Sequence, residues 1–261
     1  SEKNDFSDVV VEEFIEGTMI NLFWEEGLDE KEGHWEISTR SVVEANAKFY
    51  KENDTFRKMF FDAIEELSID YKSLPKKYCY SLVLQHPKNR IVVPIHKVEI
   101  YLTEVYEIVS EDNQTKVYLR TNEFNENSIF KRPEIYTSFD SYLDCERHFC
   151  GPETSYDIVG VIFKRGLERS KMRNDNYEEI RHLRGNDPKL QYIYLSLRKT
   201  GKLSMYLKLF NEHKKPFLKF RDHLHRYTKE LHLLYLDCFV YKAVKNKDLP
   251  QQFKPHLFCL H

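Results

Sequence analysis

Basic and aromatic side chains recur together between residues 171 and 226, a combination that suits binding to polyanions. Cations neutralise a phosphate backbone and aromatic rings stack on unpaired bases, so this composition is typical of proteins that bind RNA. The cations are Lys171, Arg173, Arg181, Arg184, Lys189, Arg198, Lys199, Lys202, Lys208, Lys214, Lys215, Lys219, Arg221 and Arg226, and the aromatic residues are Tyr177, Tyr192, Tyr194, Tyr206 and Phe217. The alternative is a set of solvated helical faces in which Tyr192 and Tyr206 belong to the core.

The charge of the chain is divided between two regions. Residues 1–160 hold 18 Lys and Arg against 32 Asp and Glu, a net charge of −14, whereas residues 161–230 hold 18 against 8, a net charge of +10. A basic segment on an acidic protein is the electrostatic footprint expected for a phosphate ligand. Mutual neutralisation of the two regions inside the protein is the other interpretation.

The composition is that of a globular protein, with 41% hydrophobic and 14% aromatic residues. No apolar run reaches the roughly 20 residues needed to cross a bilayer. The first residues, 1–5, are too polar for a signal peptide. We therefore expect a soluble, cytoplasmic protein that makes no membrane contact.

Common catalytic and metal-binding patterns do not occur in the sequence. The 5 cysteines form no CxxC pair, and Cys145, His148 and Cys150 lack the spacing of a zinc site, which favours buried thiols. His225 and His232 share a helix face without a carboxylate or thiol at metal-ligand spacing. GxSxG and GxxxxGK[ST] are both missing, which argues against serine hydrolase and P-loop chemistry.

Hydrophobic periodicity predicts an α+β domain over residues 1–174 and a helical domain over residues 175–261. Asp54 or Thr55 caps the helix at 55–67, and Asn113 marks a turn. The predicted strands are 9–11, 19–24, 35–39, 80–84, 91–93, 99–109, 116–120, 156–164 and 169–174. The predicted helices are 45–50, 55–67, 139–149, 177–183, 188–199, 202–210 and 216–242.

Three segments resemble, in order and spacing, the motifs of phage-type RNA ligases, which are covalent nucleotidyltransferases. They are residues 14–19 followed by 38–41, residues 87–92 followed by the strand from 99, and residues 159–163 followed by 171–174 and Tyr177. The resemblance covers residues 8 to about 185 and implies antiparallel nucleotidyltransferase sheets flanked by helices, then a helical C-terminal module. The chain is also similar to uncharacterised proteins of large DNA viruses, which adds a viral factory or virion as a location.

The resemblance fails at three chemical positions. Phe14 stands where these enzymes keep the lysine that attacks the α-phosphate of ATP, and phenylalanine offers no nucleophile. Val83 and Val159 stand where the family has glutamates that help to bind a divalent metal and the ribose. The resemblance with these three changes predicts a site that has lost its chemistry.

Other polar positions of the family's pocket are kept. The resemblance assigns nucleotide or phosphate binding to five positions, which are Glu16, Gly17, Arg40, Lys171 and Arg173. The cations that match Lys171 and Arg173 in active enzymes hold phosphates. An exposed strand face is the alternative for the last two. The cations expected to contact RNA are Arg181, Arg184, Lys189, Arg198, Lys214 and Lys215.

The favoured function is therefore a non-catalytic RNA- or nucleotide-binding protein with an RNA-ligase-like fold. It requires no cofactor and no metal, and its partner is RNA or another protein. One alternative is an active RNA ligase or nucleotidyltransferase with an unorthodox site, which would use ATP and Mg²⁺. The other is a viral structural protein or a scaffold of a complex.

Overall fold

The computed structural model describes residues 6–27, 32–48, 54–111, 114–124 and 128–261. The chain forms two compact units, Ser1–Pro188 and Lys189–His261. The first contains two antiparallel sheets with helices, and the second is helical, which confirms the α+β class. The division between the units falls later than residue 174, because the helix that follows this residue belongs to the first unit.

In the described part of the first unit, nine strands form two sheets. The five-stranded sheet has the order β3-β2-β4-β5-β6 and consists of β2 (Thr18–Glu25), β3 (His34–Thr39), β4 (Tyr78–Gln85), β5 (Glu99–Glu111) and β6 (Gln114–Leu119). The four-stranded sheet has the order β7-β1-β8-β9 and consists of β1 (Val10–Glu13), β7 (Ile135–Tyr136), β8 (Gly160–Arg165) and β9 (Glu168–Arg173).

Helix α1 (Phe56–Glu66) closes the core of the five-stranded sheet. It begins at Thr55, whose hydroxyl accepts a hydrogen bond from the Lys58 amide, as an N-cap should. The buried residues of this helix form one apolar stripe, as their spacing predicts; they are Met59, Phe60, Ala63 and Ile64. Against this stripe pack buried residues of β2, β4 and β5, including Leu22, Tyr80 and Leu102.

A smaller core lies on the four-stranded sheet, under helix α2 (Tyr142–Phe149). Cys145 and Phe149 of this helix pack against Val11 and Phe163 of the sheet. Burial raises the pKa of the Cys145 thiol, which agrees with the expected role of a small buried hydrophobe.

The two sheets are linked directly by residues 14–17, which connect β1 to β2. Helix α3 (Asp175–Arg184) follows β9 almost without a loop. Asn174 caps it by accepting a hydrogen bond from the Asn176 amide, and Gly185 ends it with a φ of 72°. The connector and α3 thus have fixed positions at the junction of the two sheets.

The second unit consists of α4 (Leu190–Lys199), α5 (Leu203–Leu209), α6 (Lys214–Tyr235), which continues as a π-helical turn, and α7 (Lys254–Leu260). Its core contains Tyr206, Phe210 and Phe217, and the Tyr206 hydroxyl lies 2.6 Å from Nδ1 of His213. Among the described residues, no helix is long and apolar enough to cross a membrane.

Several local predictions are wrong. Residues 91–93 form a bend and not a strand, because the amides of Val92 and Val93 bond to a side chain. The helix predicted at 45–50 is not formed in its described part, since Ala45 lies in a turn with a φ of 52° and residues 46–48 have no regular structure. Residues 49 and 50 lie outside the described residues. Tyr192 is 54% exposed and is not a core residue, whereas Tyr206 is buried. The predicted turn at Asn113 lies outside the described residues.

Candidate functional site

A cavity of about 500 Å³ opens in the first unit at the junction of the two sheets. Its walls come from the β1–β2 connector, the segment after β4, the residue before β8, and α3 with the turn that follows. The lining residues are Phe14, Ile15, Glu16, Gly17, Thr18, Phe56, Asn89, Ile91, Val159, Arg173, Tyr177, Arg181, His182, Arg184, Gly185 and Asn186. The three motif segments found in the sequence are therefore brought together.

Phe14 is half-buried in the cavity wall, and its ring is covered by a cation. The guanidinium carbon of Arg173 lies 5.3 Å from the ring centroid, a distance at which cation–π attraction operates. The same guanidinium is paired with Glu178 of α3. The position assigned to a nucleophile by resemblance thus holds an aromatic platform under an arginine.

The two valines assigned to lost carboxylates occupy different places. Val159 lines the cavity. Val83 is 7% exposed and packs with Ile15 and Tyr101 in a small apolar cluster behind the connector. The cavity remains open, so Phe14 and the valines do not fill it.

Glu16 is buried and holds the segment after β4 in place. Its carboxylate accepts hydrogen bonds from the amide of Val92 at 3.0 and 3.1 Å and from the amide of Val93 at 3.1 Å. Burial raises the pKa of Glu16, and the hydrogen bonds from these amides and from Tyr177 offset part of that rise. The carboxylate is therefore engaged with the protein's own backbone.

Two glycines allow the backbone to pass closely at the cavity. A Cβ on Gly17 would lie 2.6 Å from the carbonyl oxygen of Leu84, and φ at Gly17 is 159°. At Gly160, with a φ of 128°, a Cβ would lie 2.1 Å from the carbonyl oxygen of Met172. Side chains at these positions would push strands apart, so both glycines are required by packing.

Three arginines make the cavity electropositive. Arg173 and Arg181 both pair with Glu178, which lies between them. Burial alone would raise the pKa of Glu178, but hydrogen bonds from these two guanidiniums outweigh it and lower the pKa. Arg184 is buried and donates to the carbonyl oxygen of Arg90. Glu16 is the one carboxylate among the described lining residues, so positive charge is in excess.

The other predicted site residues lie elsewhere. Arg40 and Lys171 are exposed and stand outside the cavity lining. In the second unit, Arg198 donates to the Tyr194 hydroxyl, and Lys189 lies over the Tyr192 ring at 5.2 Å. Lys214 and Lys215 are exposed at the start of α6. The six cations expected to contact RNA therefore divide between the cavity and the second unit.

Several polar and aromatic residues of the lining were not among the predicted site residues. Asn89 donates to the Thr18 hydroxyl at 2.7 Å, which fixes the 3-10 turn of the second motif against the connector. Phe56, His182 and Asn186 also line the cavity. His182 stands five positions after Tyr177 on α3, and helix periodicity alone does not show which face meets a cavity.

The arrangement suits an anion with an aromatic group better than a divalent cation. Guanidiniums bind phosphate oxygens through charge-assisted hydrogen bonds, and the rings of Phe14 and Phe56 offer surfaces for stacking. A magnesium site needs carboxylates that face the ligand. The carboxylate of Glu16 faces backbone amides instead.

The known proteins that resemble this chain in sequence or in structure include RNA ligases. The chain is 28% identical over 114 residues to an RNA ligase of Rhodothermus phage RM378, a match that covers 40% of this chain and 24% of that protein. No family model matches the chain.

Among solved structures, the Naegleria gruberi RNA ligase K326A mutant with ATP and Mn has a TM-score of 0.45 at 13% identity, covering 69% of this chain and 53% of that one. The same ligase with PPi has a TM-score of 0.43 at 14% identity, covering 66% of this chain and 50% of that one. The chain thus spans about half the length of these structures. The chain is similar to RNA ligases, as the motifs indicated.

Proposed function

We propose that the first unit is a non-catalytic relative of RNA ligases that binds RNA or a nucleotide through a phosphate held in the cavity. The observation that carries this proposal is the Arg173 guanidinium stacked on Phe14 and paired with Glu178. A site for covalent nucleotidyl transfer needs an amine at that place. Here a ring and a fixed cation occupy it.

The lining supports binding without bond formation. It contains three arginines and neither a lysine nor a cysteine among its described residues. A guanidinium remains protonated at physiological pH and cannot attack phosphorus. Arginines that cannot react can nonetheless hold a phosphate in a fixed orientation.

Two features favour RNA as the ligand. The relative that matches in sequence is an RNA ligase, which makes RNA the first candidate. The second unit adds exposed cations, Arg198, Lys214 and Lys215, of the kind that neutralise an RNA backbone. We therefore expect RNA with a terminal phosphate to bind more tightly than a free nucleotide.

Covalent labelling tests the absence of chemistry. The full chain is incubated with α-³²P-labelled ATP or GTP and Mg²⁺ or Mn²⁺, then denatured and separated on a gel. No labelled band is expected, because position 14 has no amine and the described lining contains no lysine. His182 is the described lining side chain that could form a phosphoramidate, so a band that is lost in His182→Ala would identify it as the nucleophile. A labelled band that survives denaturation supports the alternative of an active ligase with an unorthodox nucleophile.

Binding is measured by fluorescence anisotropy with a short 5′-phosphorylated RNA at several salt concentrations. Arg181→Ala should weaken binding and lower the salt slope by about 1, as expected when one phosphate contact is lost. Arg147→Ala is the matched control, because Arg147 pairs with Asp144 three positions away on α2, as Arg181 does with Glu178 on α3.

Each result has a definite meaning. Equal loss of affinity in both variants argues that the RNA follows general surface charge and contradicts a site in the cavity. A complete lack of RNA and nucleotide binding by the unaltered chain contradicts the proposal and favours the scaffold alternative.

A further inference from the structure

We propose that Glu25, His34 and Glu36 form a binding site for a divalent transition-metal ion of the Zn²⁺ type. The three residues lie on neighbouring strands β2 and β3, and none of them lines the cavity. Each offers one ligand atom, and these atoms all lie within 4.8 Å of one another. The proposal does not depend on the proposed function of the cavity.

Strand pairing brings the three side chains together. Glu25 lies directly opposite His34 in the antiparallel register, and such pairs place their Cβ atoms about 5 Å apart. Glu36 follows His34 by two positions on β3, so the two share a face of the strand. The site therefore follows from the register of a hairpin.

The two distances from His34 to the glutamates are close to those around a single coordinated ion, and the two carboxylate oxygens lie within 4.8 Å of each other. His34 Nε2 lies 3.6 Å from Oε2 of Glu25 and 3.6 Å from Oε2 of Glu36. Tetrahedral coordination with bonds of about 2.0–2.1 Å places adjacent ligand atoms roughly 3.3–3.4 Å apart. The observed spacing is slightly longer than this edge and longer than an ordinary hydrogen bond.

Glu36 is already oriented for this role. It is 5% exposed, and its Oε1 accepts from the Ile37 amide and from the Arg57 guanidinium. These bonds leave Oε2 directed toward His34. Outer partners of this kind orient metal ligands in known sites.

The donor set selects the kind of ion. One imidazole with two carboxylates suits Zn²⁺ and Co²⁺, whereas Mg²⁺ and Ca²⁺ prefer oxygen ligands throughout. Glu25 and His34 are exposed, with side-chain accessibilities of 55% and 59%, so an ion can enter from solvent and a water can complete its coordination.

The tryptophans of the chain provide a direct assay. The sequence contains 2 tryptophans, Trp24 and Trp35, whose ring centroids lie 5.8 Å apart. Each is next in sequence to a proposed ligand on β2 or β3. Co²⁺ bound at the site should quench their fluorescence, and Zn²⁺ should then reverse the quenching by displacing Co²⁺. The measurement uses the full chain with the metal ion alone.

Variants separate this site from weak surface binding. His34→Ala and Glu25→Gln should each raise the dissociation constant for Co²⁺ by about tenfold or more, since changes around metal ligands cost 10–100-fold. His223→Ala, at an exposed histidine of α6, should leave it unchanged. Circular dichroism should be the same for all variants, because the altered residues are exposed.

Two results would overturn the proposal. One is quenching with the same midpoint in the unaltered chain and in His34→Ala. The other is displacement of Co²⁺ by equimolar Mg²⁺, which would indicate general attraction to carboxylates and not coordination by the imidazole.

Discussion

Glu16→Ala tests whether the buried carboxylate positions the cavity wall. In the structure Glu16 accepts from the amides of Val92 and Val93, and the residue is 6% exposed. Removing the carboxylate leaves the buried amide of Val92 and the partly buried amide of Val93 without an acceptor. The segment that carries Ile91, a lining residue, then loses its attachment to the connector.

The size of the effect follows from the two amides. A buried donor without a partner costs about 1–3 kcal/mol, and the partly buried amide of Val93 costs less, so the free energy of unfolding of the first unit should fall by roughly 1–4 kcal/mol. Glu16→Gln keeps one acceptor oxygen and should cost less, about 1 kcal/mol. Glu16→Ala should therefore lose more stability than Glu16→Gln.

The pH dependence separates both variants from the unaltered chain, because neither alanine nor glutamine titrates at position 16. Because the pKa of Glu16 is raised above 4.5 in the folded protein, the folded state holds this proton more tightly than the unfolded state. This contribution of Glu16 to the free energy of unfolding is complete below the pKa that the carboxyl has in the unfolded chain. It is lost as the pH rises through the pKa that the carboxyl has in the folded protein. Glu16→Gln should remove this loss, so its stability relative to the unaltered chain should improve as pH rises through that interval.

Urea unfolding followed by circular dichroism measures the free energies. Hydrogen exchange at Val92 and Val93 gives the local result, and both amides should exchange faster in Glu16→Ala. A loss below about 1 kcal/mol in Glu16→Ala with unchanged exchange at the two amides would refute the reasoning.

Two further predictions concern packing and buried charge. Gly160→Ala should destabilise the first unit by about 2–4 kcal/mol in urea unfolding, because its Cβ meets a carbonyl oxygen on the neighbouring strand at 2.1 Å; an unchanged unfolding midpoint would contradict this. Lys164→Met should lower the free energy of unfolding by about 3–5 kcal/mol, because it leaves two buried carboxylates without their cation. These are Glu12 and Glu104, which Lys164 Nζ contacts at 2.7 and 2.8 Å. Lys58→Met removes an exposed ion pair and serves as the control, with little change expected.

The sequence predicted the elements whose pattern is local and regular. The apolar stripe and cap of α1 and the alternation in β5 indicated their structures directly. Residues 91–93 have an equally apolar pattern but form a bend, because the Glu16 carboxylate competes for their amides. That competition joins positions more than 70 residues apart, and no local pattern contains it.

The sequence motifs determine only in part which side chains reach the cavity. Motif order placed Phe14 and Arg173 near each other, but their stacking depends on the junction of two sheets. Arg40 and Lys171 carry the right charge at the right motif positions, yet their side chains lie outside the lining. Charge and spacing specify which residues are candidates, whereas strand twist and side-chain direction decide which of them reach the cavity.

The stacking of Arg173 on Phe14 also constrains how this cavity can change during evolution. A lysine introduced at position 14 would meet the guanidinium that now covers the ring, and two like charges at that distance repel each other. Valines stand at 83 and 159, and the nearby carboxylate of Glu178 is already paired with Arg173. If the proposed function is correct, a reactive site would therefore require several substitutions together, each unfavourable or without benefit alone.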